Sequence, residues 1–207
     1  MKNVSRFTWS NLSGYGGVAC YAVKNNGNLY GWGSGEVVKK AADSSSDKKR
    51  WKPKKLLENV YTLDGSAESS NMLALTNDGI LWTWGKVPGD YGVWKTSKKW
   101  ESHETLMYDG IVKVSEDVIA ADTNGSTILF VKKNHSLWYQ GGAPGSAYEE
   151  SIKEPMKLTK NVSAVRTKEG QGIFVLKTNG YLYGTNYVYK KHFGKLHRMG
   201  KGFLKAD

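Results

Sequence analysis

Three stretches of this chain carry residue types that chemistry uses. The run GWGSG, Gly31 to Gly35, has the glycines of a phosphate-cradling loop, but such a loop must feed a helix N-terminus and no helix-forming run follows it. His103, His135, His192 and His197 are the only imidazoles. The pair His192 and His197 is five residues apart, which fits neither the two-residue step of a strand nor the four-residue step of a helix, so no metal set follows. Glu101, Ser102, His103 and Glu104 form a polar segment that could supply a general acid or base, and that is equally well a solvated loop. Cys20 is the single cysteine, which excludes a disulfide framework and paired-cysteine zinc sites; beside a strand it predicts packing and no nucleophile. These residues predict no catalytic, cofactor or metal site, and therefore no enzyme.

Aromatic side chains flanked by lysine give a stronger pattern. Trp51, Trp94 and Trp100 lie in KKRWK, VWK and KKW, alongside Lys49, Arg50, Lys98 and Lys99. Cations interleaved with tryptophan suit anchoring at protein interfaces and stacking on sugars or bases, and the equal alternative is that the three indoles close over the outer strand. Lys190 and Lys191 extend the set near the C-terminus. The chain has a net charge of +11, which favours acidic partners. Segments 34–55 and 184–198 hold +5 and +4 of it. If the chain closed into a ring, these two would merge into one basic sector.

Four copies of one pattern position these residues: AVKNNGNLYGWG, ALTNDGILWTWG, FVKKNHSLWYQG and VLKTNGYLYGTN. Each aligns on a leucine, Leu29, Leu81, Leu137 or Leu182, followed by Tyr30, Trp82, Trp138 or Tyr183. Two residues before each leucine stand Gly27, Gly79, His135 and Gly180, preceded by Asn26, Asp78, Asn134 and Asn179. Asn-Gly and Asp-Gly pairs between apolar runs predict β-hairpins with two-residue turns. Trp32, Trp82, Trp84 and Trp138 fall in these columns and are expected to pack between units.

A second column predicts a further strand per unit: Leu56, Met107, Leu158 and Met199, then Val60, Ile111, Val162 and Phe203, then Leu63, Val114, Val165 and Ala206. Val4 and Phe7 supply one more copy. The period is near fifty residues, and a three- or four-stranded unit of that length must stack on neighbours to bury both faces. The chain is therefore expected to be an all-β propeller of four repeats, approximately 4–59, 60–110, 111–161 and 162–207, as four blades or part of a larger ring. The chain starts out of phase with the hairpins, which fits first a fragment of a longer array, and otherwise a ring completed by a second chain or a compact four-bladed ring whose closing blade is shared between the termini. No apolar run is long enough to span a membrane, and the first thirty residues have no leader pattern.

ALTNDGILWTWG and AVKNNGNLYGWG resemble the repeat of the regulator of chromosome condensation family, with Gln140 in place of tryptophan in the third copy and Thr185-Asn186 in place of Trp-Gly in the fourth. The fourth copy also resembles the repeats of tachylectin-like propeller lectins. The family resemblance implies a propeller that binds through its variable loops. Variable loops on a stiff scaffold are where recognition normally sits, which puts a protein partner first, an acidic glycan or sugar second, nucleic acid or chromatin third and an enzyme fourth. The resemblance also points to the secreted or cell-surface proteins of bacteria that share this repeat.

Overall fold

The computed structural model describes residues 1–12, 17–34, 51–65, 71–85, 110–125, 127–141, 152–168, 172–185, 188–189, 192–193 and 197–201. They form eighteen β-strands and, among the described residues, no helix. Four antiparallel sheets of four strands follow one another along the chain. Blade 1 contains β1 (Val4–Leu12), β2 (Gly17–Lys24), β3 (Leu29–Gly33) and β4 (Lys54–Leu57). Blade 2 contains β5 (Val60–Gly65), β6 (Asn71–Thr76), β7 (Leu81–Gly85) and β8 (Val112–Ser115). Blade 3 contains β9 (Val118–Thr123), β10 (Thr127–Lys132), β11 (Leu137–Gly141) and β12 (Ile152–Thr159). Blade 4 contains β13 (Val162–Lys168), β14 (Gly172–Lys177), β15 (Tyr181–Thr185) and β18 (His197–Lys201), with β16 (Val188–Tyr189) and β17 (His192–Phe193) as a small hairpin between the last two.

The four predicted hairpins are the β2–β3, β6–β7, β10–β11 and β14–β15 pairs. Their turns are one residue longer than predicted. Gly27 N–H donates to the Lys24 carbonyl and Lys24 N–H to the Asn28 carbonyl, both at 2.9 Å. Only the third loop residue is left-handed: Gly27, Gly79, His135 and Gly180 have φ of 79°, 87°, 60° and 80°. This is a type I turn closed by a left-handed residue. The asparagine before it acts through its side chain. Asn26, Asn134 and Asn179 accept the N–H two residues on, at 3.2, 3.1 and 3.3 Å.

The second column of the sequence is two strands with a sharp link between them. Asn59, Asp117 and Asn161 take φ of 59°, 57° and 59°, ending one blade and starting the next. Each link is stitched to both blades in the same way. The amides of Val60, Val118 and Val162 donate to the turn carbonyls of Gly27, Gly79 and His135, at 2.9 Å each. The carbonyls of Asn59, Asp117 and Asn161 accept from Asn77, Lys133 and Thr178. Val118 therefore holds the position predicted for Ile111, and the column in blade 3 runs Val114, Val118, Ala121. Both triplets have the same spacing; the left-handed Asp117 decides between them. Met107, Phe203 and Ala206, also assigned to this column, lie outside the described residues.

Among the described residues each blade is built from its own stretch of chain and no strand is exchanged between the termini, contrary to one reading of the phase offset. Apolar residues collect in three joints between blades. Tyr21, Val23 and Leu29 meet Val60, Met72 and Trp84. Leu73, Leu75 and Leu81 meet Val118, Ile128 and Phe130. Leu129, Leu137 and Tyr139 meet Val162, Val165 and Val175. The column tryptophans pack as expected, Trp84 inside the first joint with Trp32 and Trp82 against it, and Trp138 against the second.

Candidate functional site

Of the nine residues assigned to partner binding, the structure describes Trp51. It sits in the turn that leads into β4, 54% exposed, with Lys52 and Lys54 exposed beside it. Lys55 is held to Glu58 at 2.6 Å, so the lysines nearest the indole are the charges available to a ligand there. Trp94, Trp100, Lys49, Arg50, Lys98, Lys99, Lys190 and Lys191 lie outside the described residues. Most of the basic segments 34–55 and 184–198 lies outside them as well.

A second candidate was invisible in the sequence. The first strands of the four blades approach one another in order, so β1, β5, β9 and β13 line the inner side of the array. One row across them reads Thr8, Asp64, Asp122 and Arg166, each paired with its own blade at Tyr21, Leu73, Leu129 and Phe174. Asp122 is 7% exposed. Burial, then the hydrogen bond and charge of Asp64, push its carboxyl up to about 8, against the Thr167 amide and the Arg166 guanidinium. At neutral pH Asp122 is therefore protonated and hydrogen-bonded to Asp64. Asp122 Oδ2 also accepts the Thr167 amide, and the Thr123 hydroxyl reaches Asn71 Oδ1 at 3.2 Å. These contacts tie blade 3 to blades 4 and 2 at the inner edge. The arrangement can hold a proton and brace the joints.

Two single residues fall where chemistry was considered. His135 fills a turn, and its Nδ1 lies 3.0 Å from the Val162 carbonyl, a bond that requires the proton on Nδ1 and spans the third joint. Cys20 is a free thiol on β2, half-buried on the outward face of blade 1, and burial raises its pKa. It belongs to none of the three apolar joints, so it packs less fully than a core cysteine would. Among the described residues, no three His, Cys, Asp or Glu side chains converge as a metal site.

No family model matches the chain. The human and mouse E3 ubiquitin-protein ligase HERC2 are each 25% identical to it over 193 residues, covering 90% of this chain and 4% of theirs. Prp20p from Saccharomyces cerevisiae superposes with a TM-score of 0.59 at 15% identity, over 88% of this chain and 48% of that one. Human WBSCR16 gives 0.57 at 14% identity, over 81% and 44%. The chain thus spans a small part of HERC2 and about half of each solved propeller.

Proposed function

Taking this chain as an array of repeats of the regulator of chromosome condensation type, we propose that it is a non-catalytic scaffold that recognises a protein partner through the loop-bearing rim of its blades. One observation carries the reading: Trp51 is held out of the core, 54% exposed, in the turn that leads into β4, with Lys52 and Lys54 exposed beside it. A large exposed aromatic next to exposed cations has the makings of an interface anchor. The structure of Prp20p is described with its binding to Gsp1p and histones, and the same yeast protein has been solved bound to Kap60. These neighbours support binding to proteins as the use of such an array. With a net charge of +11, the present chain suits a partner with an acidic face.

A photo-crosslinking residue placed at position 51 tests this. It is expected to capture an acidic protein from an extract of the source cells, with a yield that falls severalfold between about 0.05 and about 0.5 M salt. Absence of any protein adduct, together with retention on a sulfated-glycan array, would overturn the reading in favour of glycan binding.

A further inference from the structure

The three joints share a set of parts, and both ends of the array carry unfilled copies of them. A joint takes from the leading blade a turn carbonyl and a leucine, and from the trailing blade a valine with its amide and an apolar first-strand residue. Leu29, Leu81 and Leu137 are completely buried in this way, and Val60, Val118 and Val162 are 4% exposed or less. At the front of blade 1 the equivalent Val4 is 38% exposed. Phe7, which matches Leu63, Ala121 and Val165 in register, is 80% exposed, with Trp9 and Val18 beside it at 46% and 39%. At the back of blade 4, Leu182 and Phe174 are only half-buried and Met199 is 59% exposed. Met199 matches Leu56 and Leu158, which pack into joints. Among the described residues, neither the Val4 amide nor the Gly180 carbonyl makes the cross-blade bond of its counterparts.

One end is thus the trailing half of a joint and the other the leading half. We infer that this chain pairs head to tail with a second copy of itself, the Phe7 face of blade 1 in each copy docking on the Met199 face of blade 4 in the other. The new interface continues the one that already repeats three times within the chain, including an amide donor, Val4, for a waiting carbonyl, Gly180. Two such joints close the pair into an eight-bladed ring, within the range of blade numbers that propellers close.

The particle mass in solution, with two surface variants, tests the inference. The unmodified chain is expected at twice its 23.0 kDa mass at micromolar concentration. Phe7→Asp and Met199→Asp change exposed side chains and leave the fold intact by circular dichroism. Each is expected to weaken self-association at least about thirtyfold. Mixed together, they are expected to associate again, because one joint then joins the unaltered Met199 face of the first variant to the unaltered Phe7 face of the second. Cys20, on the same face as Phe7, gives an independent reading: maleimide labelling should slow in the pair and recover in Phe7→Asp. A monomeric parent chain, whose open faces then await further blades or another protein, would overturn the inference. So would variants that stay apart when mixed, which would mean like faces pair, or a ladder of larger species, which would mean the joint does not close.

Discussion

Val60 and Val4 are the same residue in the same local sequence, each preceded by a left-handed asparagine and each opening a blade, yet one is 4% exposed and the other 38%. The strand beneath each is paired with equal regularity. The difference lies wholly in what stands in front of it. A blade of four short strands satisfies its backbone alone, but it buries apolar surface only against the next blade. The joint, and not the sheet, is the unit of stability here, as in other stacked repeats.

The sharpest way to break that contrast is to remove the same side chain from a filled and an open joint. Leu81→Ala, at a fully buried position, should cost about 3 kcal/mol of unfolding free energy, whereas Leu182→Ala in the Phe7→Asp background should cost less than half as much. Urea titrations of both would show it; equal losses would mean that the end of blade 4 is packed like the interior.

A smaller effect separates two glycines of similar conformation. A Cβ on Gly79, at φ 87°, would lie 3.0 Å from the Val118 carbonyl oxygen across a joint, while one on Gly110, at φ 95°, meets nothing within 4 Å. Gly110→Ala should therefore cost about 1 kcal/mol of backbone strain, and Gly79→Ala roughly twice that because the link must also move. Identical melting shifts for the two would remove the link from the account.

The inner edge of the joints adds a pH dependence. Asp122 titrates near 8 in the folded chain against 3.8 for a free carboxyl, so its contribution is full below about pH 4 and is lost as the pH rises towards 8, where the folded state must also give up its proton. Asp122→Asn should flatten this fall, gaining about 1 kcal/mol over the parent at pH 8 and little at pH 4. Melting curves at the two values decide; parallel losses in parent and variant would place the titration elsewhere.

Much of this architecture was readable in advance, because hairpins and joints impose fixed columns. Leucine after the turn, glycine or histidine within it and valine after the link each answer to one geometric demand. The register of blade 3 slipped because Met107, Ile111 and Val114 repeat the spacing of Leu56, Val60 and Leu63 by coincidence. The signal that resolves it is the asparagine or aspartate before the valine, as in Asn59-Val60 and Asp117-Val118, which tolerates the left-handed link. Asp64 and Asp122 could not be paired from sequence, since they are 58 residues apart and meet only once blade 3 has docked on blade 2. Trp51 lies outside every column, and the sequence left open whether it stands exposed or closes over the outer strand; the structure leaves it 54% exposed.

The most direct measurement is residue-resolved hydrogen exchange of the four blade-opening valine amides, at high and at low protein concentration. The amides of Val60, Val118 and Val162 should be protected at both concentrations. Val4 should exchange freely in the dilute protein and gain protection when it is concentrated. A Val4 amide as protected as the others at every dilution would mean that the array closes on itself within one chain; one that never gains protection would mean that the open joint is not filled by a second copy.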